Sequence, residues 1–212
     1  TAPTPSKDAV LITGVIEAHE ERDTATCDIP GAFMHADNDE TVLMLLRGKL
    51  AELLVKVDPK LYRKYVITSS KGVPMLYVKL SKALYGMLRS ALLFYKKLAS
   101  ELVEMGFEIN PYDPCVANKT INGSQMTICW HVDDLKVSHK DSAMVTAFLL
   151  KLADIYGDKM TVTRGKVHDY LGMDLDYTKK GTLRVSMIKY LGKVFDDFPE
   201  QITSTSSSPA AD

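Results

Sequence analysis

Two adjacent aspartates, Asp133 and Asp134, stand between apolar runs at 126–130 and 135–137. Since side chains alternate along strands, adjacent acids fit a tight turn better than a buried strand, and the pattern predicts a hairpin with both acids at its tip. Neighbouring carboxylates repel each other unless solvent or a cation neutralises them. Hard divalent ions such as Mg²⁺ prefer oxygen ligands of this kind. An ordinary turn is the alternative interpretation, because Asp is common in turns.

A third aspartate favours the metal interpretation. Asp28 lies near the end of a predicted strand at 24–29, which Pro30 and Gly31 interrupt. If this strand lies beside the hairpin, three carboxylates meet at one edge of a sheet. Two divalent ions held there would activate an attacking hydroxyl and stabilise a leaving phosphate oxygen. The sequence therefore predicts a phosphoryl-transfer site, provided that the two strands are neighbours.

Helices and strands alternate irregularly around these acids. Apolar periodicity predicts helices after Ser6 and at 49–55, 59–65, 86–105, 142–156 and 188–198, and strands at 24–29, 41–46, 75–80, 115–121, 125–131, 135–138, 170–177 and 182–185. The apolar face of the first helix is expected to consist of Val10, Leu11, Ile12, Val15 and Ile16. Asn122-Gly123 predicts a tight hairpin. This arrangement favours an α+β fold, with a mainly antiparallel sheet and helices packed on one face.

Composition limits the class of protein. The chain has 212 residues, 46% hydrophobic and 25% charged, which is typical of a soluble globular protein, and it has no apolar run of roughly 18 residues. Residues 1–7 lack the layout of a secretory signal. Cys27, Cys115 and Cys129 form no close pair, which argues against structural zinc and favours a reduced intracellular setting. A net charge of −1 gives no support to nucleic-acid binding.

Several short motifs, taken in order, resemble the reverse transcriptases of copia-type LTR retrotransposons. They are Cys27–Phe33, Lys82–Gly86 leading into Tyr95–Leu98, Met105–Phe107, Asp113-Pro114, His131–Asp134 and Tyr170–Met173. Each motif alone is weak, and their shared order from about Val10 to Phe198 makes the signal specific. The resemblance implies a polymerase palm with a ferredoxin-like antiparallel sheet, partial fingers and little or no thumb in residues 1–202. Residues 203–212, rich in Ser, Ala and Pro, are expected to be a disordered tail.

The resemblance also implies roles for particular residues. Asp28, Asp133 and Asp134, with Ile29 beside them, correspond to a site for two Mg²⁺ ions, with Mn²⁺ as an alternative. The residues expected near the incoming nucleotide are Ile29, Pro30, Gly31, Ala32, Phe33, Gly86 and Arg89. The residues expected to hold the primer are His131, Val132, Tyr170, Leu171, Gly172 and Met173. Lys159 is a candidate for the lysine that protonates the departing pyrophosphate.

Three positions carry open questions. Phe33 corresponds to the bulky residue that excludes a ribose 2′-hydroxyl, and ordinary core packing is the alternative. His131 stands where the family usually has Tyr, and Arg89 stands where it usually has Gln. These departures predict different packing below the primer end and around the templating base pair.

The resemblance predicts an RNA-directed DNA polymerase that is a domain of a retrotransposon polyprotein and uses an RNA template, a DNA primer and dNTPs. Integrase and RNase H are expected in such a polyprotein, and neither they nor the upstream fingers strands lie within these residues, so weak or no activity is expected of this chain alone. The expected location is intracellular, in a cytoplasmic virus-like particle and in the nucleus. The alternatives are a catalytically silent, domesticated palm that binds nucleic acid and a two-metal nuclease, which does not explain the order of the motifs.

Overall fold

The computed structural model describes residues 2–199, which form helices and three antiparallel sheets. The helices are α1 (Lys7–His19), α2 (Ala32–His35), α3 (Lys49–Val57), α4 (Pro59–Tyr62), α5 (Ser90–Glu104), α6 (Ser142–Tyr156) and α7 (Ile188–Asp196), with a 3₁₀ turn at Arg63–Tyr65. The strands are β1 (Asp23–Asp28), β2 (Asp37–Arg47), β3 (Ile67–Thr68), β4 (Pro74–Lys82), β5 (Glu108–Ile109), β6 (Val116–Ile121), β7 (Ser124–His131), β8 (Asp134–His139), β9 (Thr161–Arg164), β10 (Val167–Tyr170), β11 (Met173–Asp176) and β12 (Arg184–Ser186). The mixed fold with antiparallel sheets is confirmed, and the predicted tail lies outside the described residues.

The largest sheet has six strands in the order β5-β6-β7-β8-β1-β9. Its β6–β7 hairpin turns at Asn122 and Gly123, whose φ angles of 51° and 75° are those of a type I′ turn, so the predicted hairpin is confirmed. One face of the sheet packs against α5 and α6 in the main core, which includes Phe94, Trp130 and Leu152. Burial of these large apolar side chains holds the strands in register.

The opposite face of this sheet is also covered. Val10 and Ala18 of α1 and Tyr170 and Leu175 of the three-stranded sheet β10-β11-β12 form a second core against Cys129. The prediction that the helices pack on one face is therefore only partly correct, because α1 lies on the face opposite α5 and α6.

The buried side of α1 differs from the predicted apolar face. Leu11, Ile12 and Val15 are exposed, whereas Gly14 and Glu17 are buried. Gly14 lies so close to Leu183 that an added Cβ would come within 2.7 Å of its Cδ2 atom. Glu17 forms an ion pair with the buried Lys136 of β8 and accepts a 2.5 Å hydrogen bond from Tyr177. Polar partners on the sheet, which helical periodicity does not reveal, thus determine which side of α1 is buried.

A smaller sheet, in the order β2-β4-β3, carries α3 on one side. Ala51 of α3 and Leu76 of β4 are fully buried between the two layers. We call the residues from β2 to β4, 37–82, the small unit. Most other side chains in this unit are exposed or half-buried, which distinguishes it from the six-stranded sheet.

Three predicted elements have different bounds in the structure. The helix predicted from Gly86 begins at Ser90, because Gly86 adopts a φ of +90° in the preceding turn. The strand predicted at 170–177 is divided by a tight turn at Leu171 and Gly172. The helix predicted at 59–65 is α4 followed by the 3₁₀ turn. Strand β9 was not predicted at all. Within residues 2–199, no helix combines the length and the apolar character needed to cross a bilayer.

Candidate active site

The two acidic segments meet at one end of the six-stranded sheet. β1 and β8 are antiparallel neighbours, and their register places Asp28 directly opposite Asp134. Residues in such a pair have Cα atoms roughly 5 Å apart and side chains on the same face. The amide of Ile29 donates a 3.2 Å hydrogen bond to the carbonyl oxygen of Asp133, which extends the contact beyond the strand ends. The condition on which the predicted site depends, that these strands are neighbours, is therefore met.

A strained turn presents Asp133. His131 and Asp134 close the β7–β8 hairpin as a pair, so Val132 and Asp133 form its tip. Val132 has a φ of +56°, which is costly for a β-branched residue because its side chain crowds the backbone. Packing of the long, buried strands on either side holds the turn in this conformation, and Asp133 is half-buried at the tip.

Burial and neighbouring acids raise the pKa of Asp28 and Asp134. Burial raises the pKa of Asp134, and the nearby charges of Asp133 and Asp28 raise it further. Burial also raises the pKa of Asp28, with a further contribution from Asp133. Burial together with the charges of Asp28 and Asp134 raises the pKa of Cys27 to about 12, so this thiol stays neutral and is a poor metal ligand. The three carboxylates therefore lie near enough to repel one another.

A cleft of about 120 Å³ opens beside the paired acids. Asp28 and Asp134 line it together with Thr161, Asp169 and Tyr170. Thr161 belongs to β9 and pairs with Asp28 across the sheet. Sequence reasoning missed Thr161 and Asp169, although the β-branched residues of β9 were a usable strand signal.

The predicted primer-holding residues form one part of the site. Tyr170 lines the cleft, and its hydroxyl donates a 3.0 Å hydrogen bond to the carbonyl of Cys129 in β7. Leu171 and Gly172, with φ angles of 53° and 76°, form the tight turn that leads to Met173. The turn therefore begins directly after Tyr170, whose hydrogen bond to β7 attaches it to the sheet that carries the acids.

The predicted nucleotide-binding residues lie just beyond β1. Gly31 has a φ of +66°, which favours glycine, whereas an added Cβ would meet only the terminal methyl of the exposed, flexible Met34 side chain, which can move aside. Ile29 and Ala32 are fully buried. Pro30 is exposed in the same turn. Phe33 is half-buried against the core, and its ring centroid lies 4.6 Å from that of Tyr85. Phe33 thus combines core packing with an accessible edge.

Arg89 has partners that the sequence did not suggest. Its guanidinium donates to Asp39 at 2.6 Å and lies 3.2 Å from Glu40, both in β2. Arg89 therefore links the small unit to the start of α5. Gly86 lies exposed in the same turn region, which reaches Phe33 through Tyr85.

Lys159 lies at the same end of the sheet as the three acids, but it is not among the residues that line the cleft beside them. It is exposed in the turn before β9, two residues from Thr161. In residues 2–199 it forms no ion pair. Its predicted proton-donating role stays a prediction.

The predicted site for two metal ions stays a prediction. Over residues 2–199, no three His, Cys, Asp or Glu side chains converge tightly enough to hold a metal ion. The oxygen donors are nonetheless of the type that Mg²⁺ and Mn²⁺ prefer. Their mutual repulsion, visible in the raised pKa of Asp28 and Asp134, is what a divalent cation would relieve.

A family model described as "Reverse transcriptase (RNA-dependent DNA polymerase)" matches residues 1–211. The chain belongs to this family. Similar proteins include the Transposon Ty1-BR Gag-Pol polyprotein of Saccharomyces cerevisiae, 27% identical over 166 residues, which are 76% of this chain and 8% of that protein. The Truncated transposon Ty1-A Gag-Pol polyprotein of the same yeast is 26% identical over 170 residues, 77% of this chain and 12% of that protein. The resemblance to copia-type retrotransposon reverse transcriptases is confirmed, and the chain spans about a tenth of these relatives' length.

Solved structures similar to this reverse transcriptase chain include two telomerases. Apo telomerase from Candida tropicalis has a TM-score of 0.48 and 10% identity, over 87% of this chain and 37% of that one. Telomerase from Candida albicans in complex with the TWJ fragment of telomeric RNA has a TM-score of 0.44 and 11% identity, over 87% and 35%. Both TM-scores are below 0.5, so neither match bears on function.

Proposed function

We propose that this chain is the palm, with part of the fingers, of an RNA-directed DNA polymerase. The six-stranded sheet is the palm in this proposal, and the small unit belongs to the fingers. The single observation that carries the proposal is the register of β1 and β8, which sets Asp28 opposite Asp134 in a chain of the reverse transcriptase family. A merely structural hairpin would not need a second strand that ends in an acid at the same position.

The proposed reaction is nucleotidyl transfer. The primer 3′-hydroxyl attacks the α-phosphorus of a dNTP, a new P–O bond forms, and pyrophosphate leaves with the bridging oxygen. Asp28, Asp133 and Asp134 would hold two Mg²⁺ or Mn²⁺ ions, which lower the pKa of the hydroxyl and neutralise charge on the leaving group. Ile29 would support this site through its backbone. Lys159 is the proposed proton donor to pyrophosphate.

Substrate positions follow from the arrangement of the turns. The backbone of residues 29–32 and the turn that contains Gly86 would lie along the triphosphate, and Phe33 would meet the sugar. Arg89 would act by fixing the small unit through Asp39 and Glu40, because those acids already occupy its guanidinium. His131, Val132 and the turn at Tyr170–Met173 would hold the primer end beside the acids.

Primer extension on an RNA template tests the proposal. Because weak activity is expected of this chain alone, wild-type protein with Mg²⁺ or Mn²⁺ should extend a DNA primer slowly, and Asp133→Asn should abolish the product because the carboxylate is lost from the metal site. Asp158→Asn, in an exposed turn, is the matched control and should be unaffected. Equal activity of wild type and Asp133→Asn would contradict the assignment of the acids. Specific RNA–DNA binding without any extension would favour the silent, domesticated palm.

We further propose that the chain works as a domain of a retrotransposon polyprotein that also supplies integrase and RNase H. The similar proteins are named as Gag-Pol polyproteins, which supports this setting. The proposed location is intracellular, in a cytoplasmic virus-like particle and in the nucleus.

A further inference from the structure

A cavity of about 290 Å³ opens on the face of the six-stranded sheet that carries α5 and α6, beside the turn of the β6–β7 hairpin. Strand β7 runs from this turn to the acids, so the cavity lies at the other end of the sheet from the cleft at Asp28 and Asp134. Most of its lining is apolar: Met105, Phe107, Ile121, Met126, Met144 and Phe148. We call this cavity the methionine pocket.

The methionine pocket has a buried floor and an open mouth. Phe107 and Phe148 are each 4% exposed, and their rings pack edge to face with centroids 5.6 Å apart. Met126 of β7 is 1% exposed, whereas Thr120 and Ala147 are exposed at the rim. Apolar walls offer water few hydrogen-bond partners, so an apolar guest that replaces water here is favoured.

Three thioethers make the walls of the pocket adaptable. Met105, Met126 and Met144 are three of the ten methionines of the chain, and they line one cavity. Methionine side chains are unbranched and polarizable, so they can repack around a guest and make favourable contacts with aromatic rings. Ligand pockets usually measure roughly 300–1,000 Å³, so this volume fits a small guest, such as two fused rings or a chain of about eight carbons.

The charged side chains that line the methionine pocket, among the described residues, are two lysines and no acid. The Lys119 ammonium donates a 2.5 Å hydrogen bond to the carbonyl oxygen of Met105 and lies 5.7 Å from the ring centroid of Phe107. An ammonium has three donors, so Lys119 keeps donors for a guest. Lys151 of α6 is exposed, and neither lysine forms an ion pair within residues 2–199. An anionic group at the mouth would therefore meet cations without a competing carboxylate in the lining.

We propose that the methionine pocket binds a small amphipathic anion, with its apolar body in the cavity and its carboxylate at the mouth beside Lys119 and Lys151. A pair of fused aromatic rings and a medium-length alkyl chain share this chemistry. The phenyl and thioether walls suit the ring pair best, because they make edge-to-face and sulfur–aromatic contacts. No lining residue belongs to the candidate active site, so the proposal does not rest on the polymerase assignment. The competing interpretation is a pocket that accepts any apolar guest, whatever its charge.

Methyl NMR of the full chain observes the pocket directly. Protein labelled with [methyl-¹³C]methionine is titrated at neutral pH, in EDTA and without nucleotides, with 2-naphthoate, octanoate, octanol or octylamine. The signals of Met105, Met126 and Met144, assigned from single Met→Leu variants, should shift together with a Kd below about 1 mM for both carboxylates. Met34, which is 53% exposed and outside the pocket, should stay unchanged. Octylamine should bind at least about tenfold more weakly than octanoate, because it meets two like charges.

Variants of the two lysines test the role of charge. Lys119→Gln/Lys151→Gln should weaken binding of both carboxylates by at least about fivefold and leave octanol within about twofold of wild type, because only the anions use the ammonium groups. The matched control Lys7→Gln/Lys96→Gln removes two exposed lysines that lie outside the pocket and form no ion pair within residues 2–199, and it should change neither. Ala147→Phe, which places a ring at the mouth, should weaken every guest by at least about tenfold.

Equal binding of octanoate and octylamine, an equal loss in both double variants, or unshifted signals of the pocket methionines would overturn the proposal. Circular dichroism checks folding, and if Lys119→Gln/Lys151→Gln unfolds, Lys151→Gln alone replaces it with an expected loss of about twofold. Asp133→Asn should bind both carboxylates as wild type does, because the acids lie at the other end of the sheet. A chain that extends primers without binding the anions would reject this pocket alone, and a chain that binds them without extending primers would reject the polymerase activity alone.

Discussion

The six-stranded sheet and the small unit differ in how they hold their functional side chains: the first by buried packing, the second on an exposed surface. β1, β7 and β8 are buried along most of their length between two cores, whereas β2 has no fully buried residue. The large sheet neutralises its buried lysine, Lys136, with Glu17, while the eight Lys and Arg at 47–79 of the small unit are exposed and form no ion pair among the described residues. Packing fixes geometry to fractions of an ångström, and exposed charge acts over several ångströms without fixed geometry.

This difference matches what the six-stranded sheet is proposed to do. Carboxylates that share metal ions must be held in strict register, and Asp28 and Asp134 project from the most deeply buried strands. Thin packing also implies that the small unit opens locally at a lower free energy than the large sheet.

Replacing one strand lysine in each region should give the largest contrast. Lys136→Met leaves Glu17 buried without its partner, so unfolding should become easier by about 3–5 kcal/mol. Lys79→Met, at an exposed position of β4 without an ion pair, should change stability by less than about 0.5 kcal/mol. Urea unfolding followed by circular dichroism measures both. Lys136→Met/Glu17→Gln should recover most of the loss, and equal effects of the two single variants would break the comparison.

Phe33 lies where the two regions meet, since α2 contacts both α5 and β4. Phe33→Ala should increase incorporation of ribonucleotides relative to deoxyribonucleotides by roughly tenfold or more, because the ring edge no longer occupies the space of a 2′-hydroxyl. The kcat/KM ratio for rNTP and dNTP measures the effect. Tyr77→Ala, an exposed aromatic of the small sheet, is the control. Unchanged sugar selectivity would leave Phe33 as a core residue only.

The smallest effect concerns pH. Burial and Asp133 raise the pKa of Asp28 in the fold, so its ionisation destabilises the protein as pH rises from the ordinary value of 3.8 through the raised one. Asp28→Asn, measured in EDTA, should therefore raise Tm at pH 7 by roughly 1–3 °C. The difference should vanish below pH 3.8, where both proteins are uncharged at this position. Asp58→Asn in the small unit should show no such gain, and a lower Tm for Asp28→Asn at pH 7 would contradict the repulsion.

Sequence predicted the end of β1 and the β6–β7 hairpin, because Pro30, Gly31 and Asn122-Gly123 act locally on the backbone. It failed where partners far away along the chain determine which side chains are buried or form ion pairs. The side of α1 that carries Glu17 is buried because Lys136 and Tyr177 contact Glu17. Arg89 forms ion pairs with Asp39 and Glu40, which lie some fifty residues earlier. These pairings have no local signature.

The candidate site shows the same contrast between features with a local sequence signal and features that depend on distant residues. Asp28 lies at the end of β1, as predicted, whereas Asp134, predicted at the tip of the hairpin, is the first residue of β8. Thr161 and Asp169, which share their cleft, were missed because β9 and β10, which carry them, are strands of only four residues each. Whether three carboxylates converge depends on rotamers, which sequence does not determine.

Binding of Mn²⁺, counted by electron paramagnetic resonance of the free ion, tests the central claim that Asp28 and Asp134 share one site. The wild-type chain should bind Mn²⁺, and Asp28→Ala and Asp134→Ala should each abolish that binding, while Asp158→Ala leaves it intact. Undiminished Mn²⁺ binding by Asp28→Ala would contradict the claim, because an acid 105 residues upstream of Asp133 would then contribute nothing to the metal.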